Sequence, residues 1–287
     1  MTVRCSAENM SERFRDVPIT DVRDFWNARP CNIRHSAKPV GERGYFDEVE
    51  ARKYLVEPHI PRLAEFARWA GKRVLEIGCG IGTDTINFAR AGAQVTAVDL
   101  SDRSLEVARR RAKVYGFTNV TFLQANVEEL TAALPPGSYD LVYAFGVVHH
   151  TPRPEGALRE MRSFLAPGAI LKLMVYHRYS WKVFSTLMTY GRGQFWNLDR
   201  IIAEHSEAQE GCPVTYTYTR PQIREMIEGV GCRVQEMFVD HIFPWRISDY
   251  IQYRYRRTRF FAMLPPPMFR WLERHFGWHI CATAVAQ

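Results

Sequence analysis

The segment that most constrains this chain is Val74-Leu75-Glu76-Ile77-Gly78-Cys79-Gly80-Ile81-Gly82, an apolar strand-like run that passes directly into three glycines at alternate positions. A helical stretch follows at once. Glycines at this spacing suit a turn that a ligand approaches so closely that a Cβ would collide with it. The next apolar run, residues 95–98, ends at Asp99. An acid at the tip of a second strand can accept both hydroxyls of a ribose, so turn and acid together describe a nucleoside pocket.

From Val74 onward, apolar runs alternate with amphipathic helical stretches, the pattern of a parallel sheet covered on both faces. Strands are expected at residues 73–77, 94–99, 120–124, 139–144 and 169–176, with helices at 82–91, 104–115 and 155–164. Pro167-Gly168 reads as the turn into the fifth strand. The beat breaks over residues 178–219, resumes with a helix at 221–229 and a strand at 233–239, breaks again over 241–277, and closes with a strand at 279–285. The expected fold is therefore α/β: a Rossmann-like, doubly wound, mostly parallel seven-stranded sheet with helices on both faces. Residues 1–70 form an N-terminal helical cap, with a helical stretch at 47–70 bent near Pro58 and Pro61. Residues 71–287 form the core, and the interruptions at 178–219 and 241–277 act as lid insertions.

Spacing separates two kinds of nucleoside ligand. A dinucleotide turn has G-x-G-x-x-G and seats a pyrophosphate on the helix N-terminus. Here the spacing is G-x-G-x-G, with Glu76 two residues before the first glycine. That acid repels phosphate and suits an ammonium or sulfonium group. In these residues the chain resembles the class I S-adenosylmethionine-dependent methyltransferases, closely over residues 73–177 and more loosely to the C-terminus. The resemblance implies S-adenosyl-L-methionine as cofactor, held by Glu76, Gly78, Cys79, Gly80, Gly82, Asp99, Leu100, Asn126, Val127 and Phe145. The family usually has Asp where this chain has Asn126, whose amide can still bond the edge of an adenine ring. Backbone carbonyls near residues 144–146 are implied to hold the methionine ammonium.

Methyl transfer from a sulfonium needs acceptor, methyl and sulfur in line in a dry site, with a base wherever the acceptor carries a proton. Ligands of open α/β sheets bind beyond the carboxyl ends of the strands. That location selects His149, His150, Tyr176 and His177 as candidate catalytic groups ahead of His35, His59 and His275. Alternatively, His149 and His150 only orient their loop. Arg178 is a candidate clamp for an acidic acceptor group, and Tyr216 and Tyr218 are candidate substrate contacts. The rival reading has Tyr179 and Trp181 starting a lid helix, Arg178 capping the sheet, and residues 215–219, a short edge strand or extended loop by their alternation, forming by default a packed surface strand. Phe25-Trp26, Arg29 and Tyr45-Phe46 either close over the cofactor or pack the core.

Composition narrows the partners. The chain has 38 Lys and Arg against 31 Asp and Glu, and the excess concentrates in Arg254, Arg256, Arg257 and Arg259. This stretch, residues 250–261, interleaves aromatic and basic side chains. It fits a nucleic-acid surface, a membrane-surface patch, or an amphipathic lid helix with solvated arginines; the last is favoured, because one short cluster falls short of a nucleic-acid footprint. The six cysteines, Cys5 among them, are scattered without metal-ligand spacing and read as reduced thiols, and no metal is expected. No secretory signal or membrane-spanning run is present in the sequence, which favours the cytoplasm. The expected activity is methylation of a small-molecule acceptor at oxygen or nitrogen by a monomer or homodimer, with no DNA partner. Three alternatives stand beside it. One is cyclisation of the cofactor with release of methylthioadenosine, another is a lipid, quinone or RNA acceptor, and the third is a catalytically silent nucleoside-binding subunit.

Overall fold

The computed structural model describes residues 13–137, 139–192, 194–205 and 211–287, the side chain of Phe195 excepted. Cys5 lies outside the described residues. Seven strands form one sheet in the order β3-β2-β1-β4-β5-β7-β6. They are β1 (Arg73–Ile77), β2 (Gln94–Asp99), β3 (Val120–Gln124), β4 (Tyr139–Phe145), β5 (Leu165–Tyr176), β6 (Cys232–Asp240) and β7 (His279–Ala286). The first five run parallel to one another, and β7 is antiparallel to both β5 and β6. Strand order therefore reverses between β1 and β4, and ligands of such sheets sit at that switch, beyond the strand ends.

Apolar side chains cover both faces of the central strands, as near-continuous hydrophobic runs require. One core packs Leu75, Ile77, Val142 and Leu173 against α6 (Leu130–Ala133), α7 (Pro154–Ser163) and α10 (Arg220–Gly229). The opposite face packs Val74, Leu141, Tyr143 and Met174 with Phe88 of α4 (Thr83–Arg90) and with α8 (Trp181–Thr189) and α9 (Leu198–His205). Local signals set the helix ends. Ser101 caps α5 (Asp102–Tyr115) by accepting from the Ser104 N–H, and Gly116 ends it at φ 75°. Thr219 and Gln222 form a reciprocal capping box at α10.

Three helices precede the sheet: α1 (Ile19–Ala28), α2 (Arg43–Val56) and α3 (Ile60–Ala64). Arg111 of α5, fully buried, ties α2 to the core through the Phe46 carbonyl at 3.2 Å, Glu50 at 3.1 Å and Thr83 at 2.6 Å. The stretch between β6 and β7 holds α11 (Ile247–Tyr250), α12 (Arg259–Met263) and α13 (Pro266–Phe276). Arg52 of α2 reaches across to it, donating to the Tyr250 carbonyl at 2.6 Å with its guanidinium 4.1 Å from that ring.

Three expectations are corrected. Residues 250–261 do not form one amphipathic helix: α11 stops at Tyr250, Tyr253 takes φ 59°, and α12 begins only at Arg259. Residues 215–219 alternate in character, yet they make only a single bridge, Tyr218 to His177. Pro167-Gly168 lies inside β5, where the register against β4 shifts between Tyr139 and Leu141 and a bulge absorbs the turn-forming pair. Among the described residues, no helix is long and apolar enough to cross a membrane.

Candidate active site

The glycine turn is shaped by contacts that differ from one glycine to the next. Gly78, Gly80 and Gly82 take φ of 69°, 53° and 77°, the left-handed region that favours glycine. The Gly78 and Cys79 N–H groups both donate to the Val98 carbonyl, at 2.7 and 3.0 Å, which locks the turn to the end of β2. A Cβ on Gly78 would lie 2.2 Å from the Val147 methyl, and one on Gly82 would lie 3.1 Å from Ala108. A Cβ on Gly80 would meet nothing within 4 Å, so it would project into open space.

That space is a cleft. Gly78, Cys79, Gly80, Asp99, Leu100, Asn126, Val127, Phe145, His150 and Tyr176 all line it, together with Lys53, Glu57, Met174 and His279. Ile19, Val22 and Trp26 of α1 cover it from the N-terminal side. Asp99 is fixed by backbone donors: the Gly80 N–H at 2.7 Å to Oδ2 and the Ser101 N–H at 2.8 Å to Oδ1. Burial pushes its carboxyl up to about 6, and the same backbone bonds hold it from rising further. Each oxygen keeps a lone pair for a ribose hydroxyl. Glu76 and Gly82 stand behind the turn rather than on the lining. The Thr85 hydroxyl donates to Glu76 at 2.5 Å, and burial, then the neighbouring Asp84, push Glu76 up to about 8.

The candidate catalytic groups divide. His150 lines the cleft with Nδ1 2.8 Å from the Val214 carbonyl. A carbonyl only accepts, so Nδ1 carries the proton and Nε2 is the basic nitrogen. Tyr176 also lines the cleft, its ring stacked on Trp278 at 4.1 Å. His149 is fully buried off the lining, its ring 3.7 Å from that of Tyr176, and burial holds it neutral. His177 is buried with Nδ1 3.1 Å from the Gly277 carbonyl, likewise off the lining.

The candidate substrate contacts do not reach the cleft. Arg178 turns to Asp199 of α9 at 2.9 Å, so an internal carboxylate occupies the place given to an acceptor anion. Tyr216 and Tyr218 line a separate surface groove beside α7 and α10. The Tyr216 hydroxyl accepts from the Phe14 N–H and donates to the Pro152 carbonyl, while the Tyr218 hydroxyl is buried without a partner among the described residues. Residues 213–219 run beside the loop after β4, where the Tyr216 N–H donates to the His149 carbonyl, and this places Tyr216 and Tyr218 on the α7 side.

A group that residue spacing concealed lies at the strand-five side of the cleft. Glu57 follows α2, His59 precedes α3, His241 follows β6, and His279 opens β7. His59 Nε2 is 2.9 Å from His279 Nδ1, Glu57 Oε1 is 3.8 Å from the same nitrogen, and the His241 and His279 rings stack at 4.5 Å. Burial holds His59 and His241 down to about 3, and His279 well below its ordinary value. Lys53 beside them donates to Asp84 at 2.9 Å, which also accepts from Tyr54 at 2.9 Å and Tyr143 at 3.1 Å. No local motif marks this group; the pairing of His279 with both Tyr176 and Asp240 is what assembles it.

The sequence profile of the methyltransferase domain family matches residues 69–215, and the chain belongs to that family. Its fold is that of the class I S-adenosylmethionine-dependent methyltransferases, and its cofactor is S-adenosylmethionine. A curated relative, the ubiquinone biosynthesis O-methyltransferase of Xanthomonas euvesicatoria pv. vesicatoria (strain 85-10), is 41% identical over 109 residues, or 38% of this chain and 45% of the relative. The chain thus spans about half the length of the curated relatives it matches. Among solved structures, magnesium protoporphyrin IX methyltransferase from Synechocystis PCC 6803 with bound S-adenosylhomocysteine aligns with TM-score 0.59 at 19% identity, over 94% of this chain and all of that one. The [4+2]-cyclase SpnF aligns with TM-score 0.53 at 17% identity, over 93% and 92% of the two chains. At such identities the likeness is one of fold, and chemistry has to be argued from the site.

Proposed function

We propose that the chain methylates a hydroxyl of a small aromatic acceptor, and that the cofactor lies along the cleft from Asn126 to Phe145. The observation that carries this reading is the continuity of one cleft, with Asp99 and Gly80 on its lining as well as His150 and Tyr176. Bound there, S-adenosylmethionine supplies a methyl group on a sulfonium, and the sulfur keeps the electron pair of the broken S–C bond. Asp99 accepts from the ribose hydroxyls, and Leu100, Asn126 and Val127 border the adenine. Gly80 leaves room for the ligand that a side chain would take. His150 Nε2 receives the acceptor's hydroxyl proton as the oxygen forms its new bond to carbon. Ile19, Val22 and Trp26 of α1 exclude water, which strengthens each of these contacts. The O-methyltransferase name of the curated relatives favours oxygen over nitrogen as the acceptor atom.

A second reading of the acceptor has its own support. The β6–β7 connection, which enters the cleft at His279, exposes Ile251, Phe260, Met263 and Trp271 beside Arg254, Arg256 and Arg259. Apolar side chains rimmed by arginines suit an anionic membrane surface, from which a prenylated phenol or quinone precursor would be drawn. Mass analysis of incubations with S-adenosylmethionine and hydroxylated aromatics, with and without a prenyl tail, tests both. Expected products are S-adenosylhomocysteine and an aryl methyl ether. Methylthioadenosine, or no turnover with any phenol, contradicts the proposal.

A further inference from the structure

We infer that Glu57, His241 and His279 form a binding site for one divalent transition-metal cation at the acceptor end of the cleft, with His59 orienting His279 from behind. The three residues each offer a ligand atom, and those atoms all lie within 4.8 Å of one another, which brings them within reach of a single ion. Two imidazoles and one carboxylate are the donors that suit zinc and its first-row neighbours rather than calcium or magnesium. Glu57 and His279 also line the cleft, so one side of the ion would face the space beside Phe145 and Tyr176. Three protein ligands and an open position are the arrangement of a catalytic rather than a structural metal.

Independent features point the same way. His59 is buried and bonds His279 through Nε2, yet its Nδ1 has no partner and sits 3.8 Å from Asp240. A hydrogen bond to the second ring nitrogen orients a metal-bound histidine, and with Nδ1 held by His59 the ligand nitrogen of His279 is Nε2. His241 holds φ 72°, a strained setting for a residue with a side chain, and strain of this kind persists where a site requires it.

The role of the ion rests on the proposed reading of the acceptor. An aromatic hydroxyl bound at the open position would be acidified, its O–H bond breaking with the proton passing to His150. Binding of the metal itself does not depend on the acceptor, which keeps the two claims separable. The test is calorimetry and metal analysis on the full chain with Zn2+ alone, followed by the visible spectrum of the Co2+-loaded protein. One equivalent is expected, with the absorption of a low-coordinate cobalt site. E57Q and H279A should each weaken Zn2+ binding by tenfold or more, and H150A should leave it within twofold. S-adenosylhomocysteine binding, measured on the same samples, shows whether each variant retains its fold. No zinc uptake by a chain that binds S-adenosylhomocysteine, or uptake unaffected by E57Q and H279A, overturns the site. Zinc uptake at these residues without methylation of any phenol would sustain the site while removing its assigned role.

Discussion

Gly78 and Gly80 lie in the turn after β1, Asp99 ends the adjacent β2, and a few backbone hydrogen bonds place all three, whereas Glu57 follows α2, His241 follows β6 and His279 opens the last strand. The first end of the cleft is specified locally: a turn of fixed φ seats on the Val98 carbonyl, and the acid next door bonds that turn. The second end exists only once β7 inserts between β5 and β6 and the N-terminal helices close over it. The contrast teaches that ligand recognition and acceptor chemistry place different demands on the chain. A backbone cradle tolerates no side chains but needs few distant contacts. A cluster of imidazoles needs long-range packing to hold it.

Perturbing the two ends should therefore give different signatures. The largest effect is expected at His150: H150A should lower turnover by roughly 10²–10⁴-fold, the range for losing a general base, with S-adenosylhomocysteine affinity little changed. An equal loss of affinity would move His150 out of the acceptor half. Gly78→Ala comes next, because its Cβ would meet Val147 at 2.2 Å and φ is 69°. Thermal or denaturant unfolding should record a loss of roughly 2–4 kcal/mol from overpacking and backbone strain together. By contrast, Gly80→Ala should cost only about 1 kcal/mol of stability for its φ, while lowering cofactor affinity more than tenfold. If the two alanines behave alike, the turn does not face a ligand.

Asp99→Ala should weaken S-adenosylhomocysteine binding by about 1.5–3 kcal/mol in calorimetry, through loss of two charge-assisted bonds. The pH dependence has a definite sign. Burial raises the Asp99 carboxyl to about 6, so acidification through that value protonates the group that must accept from the ribose. Affinity should fall as pH drops from 7 toward 5 and stay flatter in Asp99→Asn; a wild-type profile that is flat over this range would contradict the assignment. The smallest effect is expected in the outer groove. Tyr218→Phe removes a buried hydroxyl that has no partner, and it should leave turnover unchanged and stability unchanged or about 1 kcal/mol higher.

The sequence carried much of the first end and little of the second. Strands β1, β2 and β3 begin and end at the expected residues, because buried parallel strands read as short apolar runs between turns. Each glycine and Asp99 was legible because local backbone needs dictate them. Arg178 and Tyr216 misled for the opposite reason. Their position after β5 and before α10 was readable, but the direction of a side chain depends on what packs behind it, here Asp199 and the Phe14 and Pro152 backbone. His59 ranked low because it precedes the sheet, and only the tertiary fold brings it 2.9 Å from His279. The arginine stretch at 254–259 reads as a helix by composition, yet Tyr253 in the left-handed region interrupts it.

A crystal structure with S-adenosylhomocysteine tests the central claim most directly. The ribose hydroxyls should lie on Asp99 and the adenine beside Asn126, with the sulfur directed toward the space bordered by Phe145, Tyr176 and His279. Density for the ligand in the groove at Tyr216 and Tyr218, or a sulfur turned away from His150 and His279, would contradict it.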